Sequence, residues 1–123
     1  MSDMLGARTT VVVERFNDAL NAHDIDAVMA LMTEDCVFEN TFPAPDGERY
    51  EGQGPVRGFW ERLIAGSPNV HFACEELVAM GDRCVVRWRY TWSSPDGDGH
   101  IRGIDLFKVR DGKVAEKLAY VKG

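Results

Sequence analysis

The second half of the chain reads as four long strands joined by short turns, and this pattern limits the possible folds more than any other feature. Gly81-Asp82, the run SPDGDG at 94–99 and Asp111-Gly112 each mark a turn, and these residue types are typical of tight hairpins. The pattern predicts strands at residues 70–80, 83–93, 100–110 and 113–121. Successive strands joined by such turns form an antiparallel meander.

The first half has helical periodicity instead. Apolar residues recur at helical spacing across 8–22, Asp24 is placed to cap a second short helix, and Pro55 suits the first turn of a third. Between them, CVFENTF at 36–42 predicts a short strand, followed by a loop at 43–54. Helices followed by strands indicate one α+β domain, residues 1–123, with three helices packed on a strongly curved antiparallel sheet.

Composition and motif content exclude several classes of partner and cofactor. The net charge of −6 disfavours nucleic acid, which needs clustered Lys and Arg. Apolar runs are too short to span a membrane and no leader is recognised, so a cytoplasmic protein is expected. Cys36, Cys74 and Cys84 lack a C-x-x-C spacing and predict reduced core thiols. With no metal-ligand spacing and no phosphate or dinucleotide fingerprint, neither a metal nor a cofactor is expected.

Side-chain alternation separates the two faces of the predicted sheet. In VVRWRYTW at 85–92, the aromatic residues fall on one face and Arg87 and Arg89 on the other. The next strand places Asp105 and Phe107 on one face and a mixture of basic and aliphatic residues on the other. The aromatic face is expected to meet the helices. The mixed face is too apolar to be simply solvated, so we expect it to contact a second subunit.

Asp105 is the most unusual residue of the run GHIRGIDLF at 99–107. A carboxylate among such apolar neighbours needs a partner, a proton or a cavity. One interpretation is a proton shuttle acting on an apolar ligand. The alternatives are a carboxylate paired with Arg87, Arg89 or Arg102, although alternation turns these arginines to the other face, or a relict of a catalytic ancestor.

Four segments, in order and spacing, carry a family resemblance: NAHDIDAVMALMTEDCVFEN, GPVRGFW, GDRCVVRW and GIDLFKVRDGKVAEK. They resemble the SnoaL-like branch of the NTF2-like superfamily, which includes ketosteroid isomerases, polyketide cyclases and limonene epoxide hydrolases. The resemblance implies a cone-shaped, cystatin-like α+β fold with a pocket at its wide end. It also implies a homodimer formed through the convex sheet face.

The chemistry implied by the resemblance depends on single positions. The protonated aspartate of ketosteroid isomerases matches Asp105, but their tyrosine donor matches Phe16 and their general base matches Asn40, so a steroid isomerase is not expected. The Arg and Asp of limonene epoxide hydrolases fall on Gly103 and Ala119, which removes that activity too. SnoaL-type cyclases use one acid/base aspartate in G-x-D-x-F-R-x-x-D-G-K, and GIDLFKVRDGK is the closest fit.

The predicted function is the binding of a small hydrophobic or aromatic molecule, with cofactor-free acid/base chemistry of isomerase, cyclase or dehydratase type through Asp105. The alternative is a non-catalytic ligand-binding or dimerisation module with an inherited pocket. Lys117 and Tyr120 have opposite facing on the last strand, and Tyr120 is the one we expect in the pocket. The predicted substrate-binding residues are Phe16, Asn40, Trp60, Trp88, Tyr90, Phe107 and Tyr120.

Overall fold

The helices occupy the first half of the chain, as predicted. The computed structural model describes residues 3–123, with α1 at Met4–Asn21, α2 at Ile25–Ala30 and α3 at Gln53–Gly66. Asp3 and Asp24 cap α1 and α2 by accepting hydrogen bonds from the backbone N–H groups of Gly6 and Ala27. Each cap satisfies a backbone donor that the first helical turn leaves free.

The six strands form one sheet, in the order β2-β1-β6-β5-β4-β3. Strands β3 to β6 are the predicted antiparallel meander. However, β1 runs parallel to β6, so the sheet of the predicted α+β fold is mixed rather than antiparallel throughout. The reason is that β2, α3 and three further strands lie between β1 and β6 in the chain, and so long a connection can return in either direction. The strands are Met32–Glu39 (β1), Arg49–Glu51 (β2), His71–Met80 (β3), Arg83–Ser94 (β4), Gly97–Arg110 (β5) and Lys113–Val121 (β6).

Three details differ from the sequence-based boundaries. Strand β1 is Met32–Glu39 rather than 36–42. Ser94 pairs with Gly97, so the turn before β5 consists of Pro95 and Asp96, and β5 begins three residues earlier than predicted. Cys74 is exposed whereas the other two cysteines are buried, so the prediction of a core thiol was wrong for Cys74. It lies on β3, an edge strand of the sheet.

The helices pack on one face of the sheet and are fastened to its edge. The side chain of Asn21, at the end of α1, donates to the carbonyl of Phe72 and accepts from its N–H, both at 2.8 Å. The hydroxyl of Thr9 donates to the carbonyl of Gly81 at 2.7 Å. These contacts hold α1 against β3 and its turn, and α3 covers the other part of the inner face.

One irregularity in the sheet determines which residues of β6 face inward. Between Lys108 and Val109 the register of β5 against β6 shifts by one residue, which leaves Ala115 as an extra residue on β6. Such a bulge reverses the facing of every residue beyond it. As a result Lys117 and Ala119 share the inner face with Asp105, while Tyr120, paired with Ile104, points outward.

Candidate functional site

An apolar cavity of about 230 Å³ lies between α3 and the inner face of the sheet. Phe38 of β1 and Phe59 and Trp60 of α3 form one wall, with the Phe38 ring centroid 4.7 Å from each of the other two. Phe72 and Tyr90, whose centroids are 4.8 Å apart, form the opposite wall. The complete lining is Phe38, Asn40, Thr41, Phe59, Trp60, Leu63, Phe72, Trp88, Tyr90, Ile101, Asp105, Lys117 and Ala119.

A buried ion pair is the polar centre of this cavity. Lys117 Nζ lies 3.1 Å from Asp105 Oδ2, and the two residues are 3% and 4% exposed. The bulge in β6 makes them neighbours, because Lys117 pairs with Phe107, two residues from Asp105 on the same face. Removing two charges from water is costly, and their attraction offsets this cost only where the contact is close.

Aromatic rings surround the ammonium group. Lys117 Nζ is 4.9 Å from the ring centroid of Phe38, 5.4 Å from that of Trp60 and 5.9 Å from that of Phe107. These distances are within the range of cation–π attraction. The rings and the carboxylate therefore stabilise the cation together.

The environment raises the pKa of Asp105 above its ordinary value. Burial is the largest cause, and the charge of Lys117 opposes it without cancelling it. The indole N–H of Trp88 also approaches the carboxyl and slightly lowers its pKa, but falls short of a well-formed hydrogen bond. The carboxyl group of Asp105 therefore takes up a proton more readily than a free aspartate does.

Three further polar atoms lining or adjoining the cavity have no hydrogen-bond partner within residues 3–123: Asp105 Oδ1 and the indole nitrogens of Trp60 and Trp88. Buried polar groups are usually paired. One unused acceptor and two unused donors therefore belong to side chains that line the apolar cavity.

The structure brings together five of the predicted site residues, namely Asn40, Trp60, Trp88, Tyr90 and Asp105, all of which line the cavity. Phe16 and Phe107 do not line it. Both are fully buried and pack edge to face with centroids 5.7 Å apart, so their prediction as ligand contacts was wrong and they belong to the core behind the cavity.

Tyr120 was also predicted on the wrong side, since it is 54% exposed and lies on the outer face of the sheet. Lys117 takes its place in the cavity. Without the bulge at Ala115, a count from the Asp111-Gly112 turn would place Tyr120 inside and Lys117 outside. The one signal that could have corrected this choice is that the buried Asp105 needs a counter-ion, which Lys117 can supply and Tyr120 cannot.

Residues 43–54, for which the sequence predicted only a loop, are held in place by hydrogen bonds. Arg49–Glu51 pair with β1, the N–H of Asn40 donates to the carbonyl of Glu48, and Gly47 donates to Pro43. Gly47 has a φ of +75°, and a Cβ there would meet the carbonyl of Asn40 at 1.7 Å. The loop thus forms a structured rim beside Asn40 and Thr41 at the cavity.

Comparison with protein families identifies residues 13–117 as a SnoaL-like domain. The chain belongs to the SnoaL-like family. A solved NTF2-like protein of unknown function from Mesorhizobium loti is 41% identical over 100% of this chain and 98% of its own, with a TM-score of 0.85. The resemblance noted in the sequence is therefore confirmed, and so is the NTF2-like fold.

More distant structures share the fold of this SnoaL-like protein. A proposed SnoaL-like polyketide cyclase from Jannaschia sp. CCS1 is 21% identical, with 99% of this chain and 90% of that one covered and a TM-score of 0.83. A proposed ketosteroid isomerase from Kribbella flavida DSM 17836 is 19% identical, with coverages of 96% and 80% and a TM-score of 0.82. Comparison with curated proteins gave no significant match.

Residues 3–123 contain no group of three or more His, Cys, Asp or Glu side chains placed to hold a metal ion. In the same part of the chain, no helix combines the length and apolar character needed to cross a membrane.

Proposed function

We propose that this SnoaL-like protein binds a small, flat, apolar carbonyl compound in the cavity and catalyses proton transfer on it without a cofactor. The reaction would be of isomerase, cyclase or dehydratase type, with Asp105 as acid/base and Lys117 beside the carbonyl oxygen. The observation that carries the proposal is the buried Asp105–Lys117 pair, at 3.1 Å, on the surface of an aromatic cavity.

The size of the cavity supports a ligand of one or two rings. Pockets for drug-sized ligands usually enclose roughly 300–1,000 Å³, and this cavity encloses about 230 Å³. A four-ring steroid would extend beyond this volume. Aromatic walls formed by Phe38, Phe59 and Tyr90 favour a flat apolar body.

The ion pair can supply both groups that carbon-acid chemistry needs. Asp105 would remove a proton from the carbon next to the carbonyl, and negative charge would then develop on the carbonyl oxygen. Once Asp105 is protonated it no longer balances the ammonium of Lys117, so the cation pairs with the new oxyanion instead. The charge moves from the carboxylate to the ligand, and the net charge of the buried site does not change. Return of the proton to another carbon completes an isomerisation.

A second candidate function is non-catalytic binding. One observation favours it: Lys117 already neutralises Asp105 without any ligand. In that case the pair would only hold β5 and β6 together and set the polarity of a binding pocket.

The experiment that separates the two is α-proton exchange. One- and two-ring ketones such as 2-tetralone would be incubated with the protein in D₂O, and loss of the α-proton signals followed by NMR. Asp105→Asn is the test variant and Asp96→Asn, at the exposed turn before β5, is the control. We expect accelerated exchange in the wild type and Asp96→Asn, and its loss in Asp105→Asn with binding retained. Binding without acceleration in any variant would favour the second candidate, and absence of binding would overturn both.

We also propose that the outer face of the sheet pairs with a second copy of the chain. Val85, Leu106 and Leu118 occupy directly opposed positions on β4, β5 and β6. Ile104 and Tyr120, the adjacent pair, are 38% and 54% exposed. These residues form a continuous apolar stripe across three strands, and covering it would remove the apolar surface from water.

A further inference from the structure

Lys117 is unlike the other lysines of the chain. The sequence contains four: Lys108, Lys113, Lys117 and Lys122. Lys113 and Lys122 are exposed and Lys108 is half-buried. Only Lys117 lines the cavity, where the long side chain lies among aromatic rings and its single charged neighbour is Asp105.

We infer that Lys117 is a nucleophile that forms an imine with small aromatic aldehydes and unhindered ketones bound in the cavity. This inference rests on the proposed function, because it needs a carbonyl compound to enter the cavity. It adds a covalent step, and it narrows the class of substrate from flat apolar carbonyl compounds to those whose carbonyl group is unhindered enough to react with an amine.

The carboxylate of Asp105 provides the proton transfers that imine formation requires. Lys117 Nζ gives one proton to Asp105 Oδ2 across the 3.1 Å contact and becomes a neutral amine. Its lone pair attacks the carbonyl carbon: a C–N bond forms, the C=O double bond becomes single, and a proton moves from nitrogen to oxygen. Asp105 then donates its proton to the resulting hydroxyl group, which leaves as water while the C=N bond forms.

The products carry the same charges as the starting pair. A protonated imine remains on Lys117 and a carboxylate on Asp105, so the site never holds an unbalanced charge. The cation also keeps its position 4.9–5.9 Å from the three ring centroids, where cation–π attraction stabilises it. Desolvation in an apolar pocket is one of the recognised ways by which proteins activate a lysine amine.

The covalent step would strengthen the proton transfer already assigned to Asp105 where the bound ketone carries an α-hydrogen; an aromatic aldehyde has none and only forms the imine. A protonated imine withdraws electrons from the neighbouring carbon more strongly than a carbonyl group does. The carbon–hydrogen bond that Asp105 must break therefore becomes more acidic, and the base is the nearest carboxylate to the new cation.

The test is reductive trapping with 2-naphthaldehyde and sodium cyanoborohydride near neutral pH, followed by intact-mass measurement and peptide mapping. The other three lysines are internal comparators in the same sample. Lys117→Arg is the test variant, because it keeps a cation near Asp105 but cannot form an imine, and Lys113→Arg is the matched exposed control. 2-Naphthylmethanol has the same ring system without the carbonyl group, and its binding is followed by saturation-transfer NMR.

We expect one naphthylmethyl group per chain, mapped to Lys117 ahead of the other lysines, lost in Lys117→Arg and kept in Lys113→Arg. Labelling of the wild type at exposed lysines first, or at all four equally, would overturn the inference. This result needs no variant to fold. If the alcohol binds but the aldehyde is not trapped on Lys117, the imine is wrong and the proposed binding function stands. If neither compound binds, both are wrong.

Discussion

Replacing Lys117 with methionine should lower the free energy of unfolding, because it leaves the buried carboxyl of Asp105 without its counter-ion. Methionine fills a similar volume among the rings of Phe38, Trp60 and Phe107 but removes the positive charge. Asp105 is then left 4% exposed with no counter-ion. The folded protein must either hold an unpaired buried charge or bind a proton, and the second is the less costly state.

The free energy of protonating Asp105 sets an upper limit on how much unfolding free energy Lys117→Met can lose. The ordinary pKa of an aspartate carboxyl is 3.8. For each pH unit above this value, protonating the carboxyl costs about 1.36 kcal/mol. The limit is therefore about 4.4 kcal/mol near pH 7 and about 1.6 kcal/mol near pH 5. Breaking a buried pair typically costs about 3–5 kcal/mol. We expect Lys117→Met to lose about 3–4 kcal/mol of unfolding free energy near pH 7 and to recover most of it near pH 5.

The direction follows from where the proton binds. In Lys117→Met the folded state has the higher pKa for Asp105, so it binds more protons than the unfolded chain above pH 4 or so, and stability falls as pH rises. Urea unfolding at a series of pH values, followed by tryptophan fluorescence, measures this slope. The double variant Asp105→Asn with Lys117→Met should lose less than Lys117→Met alone near pH 7, and its stability should depend less on pH. A loss below about 1 kcal/mol with no pH dependence would refute the view that the pair is desolvated.

Three other substitutions test features described above. Gly103→Ala should cost about 3 kcal/mol or prevent folding, because a Cβ there would lie 2.2 Å from the carbonyl oxygen of Tyr120 and 2.6 Å from the ring of Trp88; urea unfolding measures the loss. Asn21→Ala should cost about 2 kcal/mol by the same measurement, because it removes two part-buried hydrogen bonds to the backbone of Phe72 on the edge strand β3. Ile104→Lys should convert a dimer to a monomer in sedimentation velocity while leaving the monomer folded, because it places a charge in the apolar stripe.

Each of these changes has a matched control. Gly66→Ala, where a Cβ would meet nothing within 4 Å, should not destabilise the chain. Asn69→Ala, at an exposed turn, should leave unfolding unchanged. Val11→Lys introduces the same charge at an exposed position of α1 and should not alter association. If Val11→Lys dissociates the protein as Ile104→Lys does, the outer face is not the interface, and a wild-type monomer would contradict the dimer directly.

The fold could be predicted because its signals are local. Turn residues such as Gly81-Asp82 and Asp111-Gly112 fix hairpins between neighbours in sequence, and Asp24 marks where α2 begins. The parallel pairing of β1 with β6 could not be predicted in this way, because it joins segments separated by most of the chain.

The site was predictable in part for the same reason. Strand alternation alone places Trp88, Tyr90 and Asp105 on one face, and the structure agrees. It fails on β6, because the extra residue at Ala115 reverses the facing and no residue type there signals a bulge. Alternation predicts which side chains face inward, but not whether an inward side chain packs in the core or lines the cavity. It therefore could not distinguish Phe107, which is fully buried in the core, from Trp88, which lines the cavity.

The bulge at Ala115 also bears on how such a pocket can diversify. If Ala115 paired with Lys108 in a regular ladder, with no residue left over, Glu116, Leu118 and Tyr120 would come to the inner face and Lys117 would turn outward, with the helices and the remaining strands unchanged. A one-residue shift in the pairing of β6 with β5 can thus replace a cationic pocket with an acidic or phenolic one without the substitution of any lining residue. Substitutions would need several changes to reach the same result, each passing through a poorly packed core. In a fold that hosts many activities, strand register is therefore as direct a route to new chemistry as the exchange of catalytic residues.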